Sequence, residues 1–291
     1  MGQPEPLGWR PHVIRMSPPR PARTGGQALH RELKLKLATL QRDYADLHAA
    51  LFEASQVHRR LCAPRLVLSG PFEIASEIFA GRYLPGDFFT VEESDGGLLL
   101  ALGDVCGKGL AAGMWTPCLA GLVRAHASDT SAPHDVVAGV NREFCRMHGP
   151  LTSLFTARLD RAAGTIDYCN AGHPPALLLR ENGEPESLSE GGMLLGMSAD
   201  ASFQGGRVEL GAGDVLLAYS DGVVESRNGA DEEFGVEGLE AHLRQARAGS
   251  AEAVLFSILA AVQDFAAPRA LADDTSVVVI RHRVDPATRT N

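Results

Sequence analysis

The stretch Leu98-Leu99-Leu100-Ala101-Leu102-Gly103-Asp104-Val105-Cys106-Gly107-Lys108-Gly109 passes from an uninterrupted apolar run into a glycine-rich turn, with an acid at the junction. Bounded upstream by the turn Ser94-Asp95-Gly96-Gly97, the apolar run reads as a strand. Residues 109–127 carry a helical pattern, so the chain changes from strand to helix just beyond Asp104. The turn is not a phosphate-cradling loop, which has a longer spacing between its glycines and a Ser or Thr after the lysine. Here only Asp104, Val105 and Cys106 separate Gly103 from Gly107, and Gly109 follows Lys108. Lys108 and its glycines are read as shaping the start of the helix.

Working outward, Phe72 to Phe79 and Phe88 to Val91 read as strands on the N-terminal side. A helix is expected over 133–147, where Pro133 suits a first-turn position. Short strands follow at 153–159, 165–170, 176–180, 206–210 and 214–219, with turns such as Glu181-Asn182-Gly183 between them. Helices at about 235–247 and 251–266 precede a last strand from Ser276 to Arg281. Helices interspersed with antiparallel hairpins predict an α+β layered fold, with sheets in the middle and helices outside.

Four acidic positions recur at the ends of apolar runs: Gly86-Asp87, Gly103-Asp104, Ser220-Asp221-Gly222 and Asp273-Asp274. Carboxylates at strand ends can converge on one sheet edge, and neighbouring glycines let water and backbone approach an ion. Hard divalent cations favour such oxygen ligands. Any one Asp-Gly pair can equally be an ordinary turn; the repetition at strand ends favours a cation site.

The rest of the composition sets bounds. The chain has 291 residues, 45% of them hydrophobic, enough for one large domain with accessory segments. Cys62, Cys106, Cys118, Cys145 and Cys169 are scattered, which argues against a disulfide framework or a cysteine zinc site and favours a reducing, cytoplasmic setting. No long apolar run suggests a membrane span or a secretory signal. Residues 1–62 carry 10 Lys/Arg against 5 Asp/Glu, leaving residues 63–291 at −14, a charge that repels nucleic acid and attracts cations. Six prolines within residues 1–27 predict a disordered arm. Residues 28–63 lack glycine, and proline until the chain turns at Pro64, and place Leu33, Leu37, Leu40, Tyr44, Leu47, Leu51, Ala54 and Leu61 at heptad spacing, interrupted only by His58. This predicts a coiled-coil stalk and a homodimer; the alternative is one amphipathic helix against its own domain. The main domain is expected over 64–283, with a tail at 284–291.

The segments Gly-Asp-Val-Cys-Gly-Lys-Gly (103–109), Asn-Ala-Gly-His-Pro-Pro (170–175), Tyr-Ser-Asp-Gly-Val-Val-Glu (219–225) and Asp-Asp-Thr-Ser-Val-Val-Val (273–279) together resemble the bacterial metal-dependent, protein phosphatase 2C-like enzymes. Within them the likeness is to stage II sporulation protein E and regulators of sigma-factor partner switching, over about residues 70–283. The resemblance implies a sandwich of two antiparallel sheets flanked by helices and a centre holding two Mn2+ or Mg2+ ions. It assigns catalytic and metal-binding roles to Asp87, Asp104, Asp221 and Asp273, with the Val105 carbonyl as an additional metal ligand and Asp274 as the weaker candidate of the terminal pair. Arg82 stands where some relatives keep a phosphate-binding arginine, or is a surface arginine. His173 is a guess for a general acid, against a turn-shaping role. Two departures stand out: Pro85 replaces the first of two glycines before Asp87, and Asp-Asp-Thr-Ser replaces Asp-Asp-hydrophobe-Thr.

By the same resemblance, metal-activated water would hydrolyse phosphoserine or phosphothreonine on a regulatory protein such as an anti-sigma-factor antagonist, under an upstream sensor or activator. A catalytically silent scaffold that binds a phosphoprotein is the other reading.

Overall fold

The computed structural model describes residues 26–62, 66–81, 83–94, 96–128 and 131–282. The arm expected over 1–27, apart from its last two residues, the tail at 284–291 and Arg82 lie outside the described residues. The chain divides into two compact units, residues 1–50 and 51–291.

Helix α1 spans Gly26–Cys62. It takes in the last two residues assigned to the arm, since no proline stands between Pro21 and Pro64. Within the first unit Leu33, Leu37, Leu40, Tyr44 and Leu47 are each more than half exposed, and Lys36 pairs with Glu32 one turn back at 2.7 Å.

The second unit is built from twelve strands among the described residues: β1 (Leu66–Ser69), β2 (Phe72–Phe79), β3 (Asp87–Ser94), β4 (Gly97–Val105), β5 (Thr152–Asp160), β6 (Thr165–Ala171), β7 (Ala176–Leu179), β8 (Pro185–Leu188), β9 (Gly191–Gly192), β10 (Gly206–Glu209), β11 (Val215–Tyr219) and β12 (Thr275–His282). Helices α2 (Leu110–His126), α3 (Pro133–Arg146), α4 (Asp221–Val224), α5 (Gly235–Ala246) and α6 (Ala251–Ala266) complete it. One sheet runs β1-β2-β12-β11-β7-β8 and the other β10-β6-β5-β4-β3, with β9 added beside β6. Apart from the parallel β6–β9 pair the ladders are antiparallel.

Side-chain alternation sorts the core into three layers. Leu98, Leu100 and Leu102 of β4 meet Ile74, Leu216, Val278 and Ile280 between the sheets. Leu99 and Ala101, one residue out of step, pack with Leu119, Val123, Val137 and Val140 of α2 and α3. On the opposite outer face Val277 and Val279 pack with Leu239, Val254 and Ile258 of α5 and α6. The unit is therefore helix, sheet, sheet, helix. This explains why β4 and β12 show no polar alternation: both of their faces are buried. Each such leucine contributes about 1.5–3 kcal/mol.

The strands absent from the sequence reading are β1, β8 and β9. β8 is polar and mostly exposed except for Leu188, and it returns along β7 through the Glu181-Asn182-Gly183 turn, where Gly183 takes φ +90°.

Candidate metal centre

Strand ends bring the acids together. Asp87 opens β3 and lies directly across the ladder from Asp104 near the end of β4. Asp221 follows β11, and Asp273-Asp274 precede β12, its neighbour in the other sheet. The Ser276 hydroxyl of β12 joins the two sheets at this edge by donating to Asp87 Oδ2 of β3, and within its own sheet the Ser276 amide donates to the Ser220 hydroxyl at 2.9 Å. The departure at Thr275-Ser276 thus keeps a working hydroxyl at the second position and buries Thr275 completely at the first.

Asp274 has a separate job. Its carboxylate accepts the Gly81 amide at 2.8 Å and the Gly86 amide at 2.6 Å, clamping both ends of the loop between β2 and β3, the loop that contains Pro85. Its two oxygens are occupied by backbone, which favours Asp273 as the site acid. Asp273 in turn accepts a hydrogen bond from Lys108 Nζ at 2.6 Å. The Lys108 turn takes the conformations its glycines allow, φ +122° at Gly107 and +72° at Gly109, immediately before α2.

The electrostatics are those of crowded carboxylates. Burial, reinforced by the neighbouring Asp104 charge, raises Asp87 well above the ordinary carboxylate range, although the Ser276 hydroxyl opposes this. Asp104 is pushed up to about 6 by burial and then by Asp221 and Asp273. Burial and Asp273 raise Asp221, with Lys108 pulling the other way; burial raises Asp274 against the pull of the glycine amides. An all-oxygen donor set whose members raise one another's pKa fits hard divalent cations, which would relieve the repulsion. Among the described residues no group of three or more His, Cys, Asp or Glu side chains is arranged to hold a metal ion as it stands.

A cleft of about 330 Å³ adjoins the acids, lined by Asp104, Cys106, Ser153, His173, Leu194 and Asp221 among others. His173 sits in a tightly bonded turn. Its amide donates to Asn170 Oδ1 at 2.7 Å, its carbonyl accepts from Asn170 Nδ2 at 2.9 Å, and its Nδ1 pairs with the Ser153 hydroxyl at 2.7 Å. Burial lowers its pKa to about 3 despite a backbone contact with Tyr219, and Nε2 has no hydrogen-bond partner. The bonding of the turn favours the turn-shaping reading of His173 over the general-acid one.

Asp87, Asp104, Val105, Asp221, Asp273 and Asp274, the residues expected at the metals, therefore lie at one edge of the sandwich. Sequence reading gave Ser220 and Ser276 no role, although both lie within the acid motifs. His58 was read as an interruption of the heptads; it is buried, and its Nε2 pairs with Thr116 of α2.

Residues 94–283 match the family described as Stage II sporulation protein E (SpoIIE). Protein IcfG of Synechocystis sp. is 26% identical over 184 residues, which cover 53% of this chain and 29% of that protein. The phosphoserine phosphatase RsbU of Bacillus subtilis is 23% identical over 84% of this chain and 74% of its own length. Among solved structures, the SiaA-PP2C domain of Pseudomonas aeruginosa superposes with a TM-score of 0.72 at 17% identity, over 85% of this chain and 99% of that domain, a likeness of fold. The chain thus spans less than a third of the length of the first of these relatives and about three quarters of the second. With the match covering well over half its length, across β4 to β12 and the Asp104, Asp221 and Asp273 positions, the chain belongs to the stage II sporulation protein E family.

Proposed function

We propose that the chain is a metal-dependent phosphatase acting on phosphoserine or phosphothreonine of a regulatory protein. The convergence of Asp87, Asp104, Asp221 and Asp273 from four strand ends carries this reading. Asp87, Asp104, the Val105 carbonyl, Asp221 and Asp273 would hold two Mn2+ or Mg2+ ions, which supply a water acidified toward neutral pH and offset charge on the phosphoryl oxygens.

The chain's own residues do the positioning. Ser276 and Ser220 fix Asp87, and Asp274 ties down the loop leading to it. Lys108 holds Asp273 at the rim, and the Ser153–His173 wall bounds one side of the cleft. Arg82 is the proposed phosphate contact. Likeness to a phosphoserine phosphatase over most of both chains supports phosphoserine as the substrate; its placement on an anti-sigma-factor antagonist, in a cytoplasmic pathway with an upstream activator, is carried over from the family resemblance of the motifs. No described helix is long and apolar enough to cross a membrane.

Hydrolysis of p-nitrophenyl phosphate with manganese, with magnesium and with EDTA tests the reading. Metal-dependent turnover is expected to fall by on the order of 100-fold or more in Asp221→Asn, whose folding is checked by circular dichroism. Turnover unaffected by EDTA and by Asp221→Asn would overturn the reading; folded protein without turnover under either metal, yet still binding a phosphoprotein, would establish a scaffold instead.

A further inference from the structure

A second cleft, of about 270 Å³, opens beside the acids. Its wall includes Lys108 and Asp273, and beyond them Arg227, Arg269, Leu271 and Glu225. The segments that form it are the loop after α4 and the connection from α6 to β12, so it is continuous with the metal-binding edge through the Lys108–Asp273 pair and distinct from the cleft over His173. Three cations of an acidic unit, Lys108, Arg227 and Arg269, are gathered on this wall beside Glu225 and Asp273, with Lys108 paired to Asp273 and the arginines to Asp231 and Glu233 behind the wall.

The two guanidinium groups are gathered by one carboxylate. Asp231, a residue at φ +69°, receives Arg269 Nη1 at 3.1 Å and has Arg227 Nη1 at 3.6 Å. Arg227 also binds the Asp231 carbonyl at 2.8 Å and pairs with Glu233. Asp231 and Glu233 do not line the cleft, while both arginines do. All these pairs are half-exposed, where ion pairs exchange partners at small cost. A guanidinium offers five donors in a planar fork and can keep one carboxylate while binding another.

We propose that Arg227 and Arg269 form a specificity rim that reads an acidic side chain next to the phosphorylated residue of the substrate. This rests on the phosphatase reading of the neighbouring acids. The phosphoryl group is placed at the metal edge, the Lys108–Asp273 pair separates that edge from the second cleft, and the flanking carboxylate of the peptide lies against the arginines. Leu271 and the alanines at 266, 270 and 272 give the same cleft an apolar floor for the peptide stem.

The test uses the full chain and two fluorescein-labelled phosphoserine peptides, identical except that one has glutamates and the other lysines on both sides of the phosphoserine. The ratio of kcat/KM for the two peptides, taken within each protein so that general changes in activity cancel, is expected to favour the acidic peptide by about three- to tenfold, the scale of two exposed ion pairs. Arg269→Glu should bring that ratio to unity or reverse it, and Arg227→Ala should reduce it. The preference should weaken as salt rises. A ratio near one in the natural protein, or a ratio unchanged by Arg269→Glu, overturns the proposal. Binding of the same peptides, followed by fluorescence anisotropy, reads the rim without turnover. If neither peptide is hydrolysed, the phosphatase reading fails on its own, and the binding ratio still decides whether the arginines select acidic flanks.

Discussion

Gly222 sits where no other residue fits. A Cβ at this position would lie 2.0 Å from the Asp274 carbonyl oxygen, because the turn that carries Asp221 passes directly over the loop that carries the terminal acids just before β12. The Asp221-Gly222 pair is therefore more than a turn signal: the acid faces the site, and the missing side chain lets two acid-bearing loops touch. Gly222→Ala is expected to lower stability by about 1–3 kcal/mol, the usual cost of forcing atoms into a filled space, and to reduce metal-dependent turnover more than tenfold by displacing Asp221. Urea midpoints and p-nitrophenyl phosphate kinetics measure the two effects; a variant of full stability and activity would show that the loops separate freely. The acids themselves were legible in the sequence, because aspartates beside glycines at the ends of apolar runs repeat. The division of labour between Asp273 and Asp274 was less so. It depends on the amides of Gly81 and Gly86, far away in the chain, and no local pattern announces such contacts.

At the scale of elements, the end of α1 is fastened to α2. The Thr116 hydroxyl lies 2.9 Å from the Gly113 carbonyl, to which it donates, and it also pairs with the His58 Nε2, which donates to it in the tautomer protonated there. Arg124 of α2 adds a bond to the Leu61 carbonyl at 3.0 Å and a pair with Glu92 at 2.6 Å, and Cys62 is completely buried beside them. Heptad periodicity could locate this helix but not the change of partner near its end, where a polar residue in an apolar register was the available clue. Burial lowers the His58 pKa below its usual 6.5, against a backbone contact with Gly113. Since the folded pKa lies below the unfolded one, the native state disfavours the proton. The stability His58 contributes is present above pH 6.5 and is lost as the pH falls below it. His58→Gln is expected to cost about 1–2 kcal/mol at pH 7.5, on the scale of a buried hydrogen bond. The difference from the natural protein should shrink toward pH 5.5. Because the comparison is between two proteins, the opposite trend from the raised carboxylates cancels. Urea unfolding at several pH values measures it, and a difference that is constant or grows on acidification would contradict a neutral buried ring.

Across the whole molecule, sequence periodicity was most informative where burial is simplest. The doubly buried β4 and the helices over 235–247 and 251–266 were readable because their apolar patterns are long, whereas β1, β8 and β9 were not, being short or polar strands whose pairing is set by what lies beside them. The N-terminal helix raises the same question at a larger scale, since a heptad seam can be identified without its partner. Leu33, Leu37, Leu40, Tyr44 and Leu47 remain more than half exposed, and a stripe of this kind is costly to leave in water. A second copy of the helix, in the two-stranded arrangement its heptads favour, would bury it. Replacing both Leu40 and Leu47 by aspartate sets like charges against each other at the centre of that seam, so the natural chain is expected to sediment as a dimer and the double variant as a monomer at the same concentration. Because neither residue belongs to the 51–291 unit, the variant should keep the sheet signal in circular dichroism and the cooperative melting of that unit. Equal sedimentation of the two proteins would leave the stripe without a role in pairing.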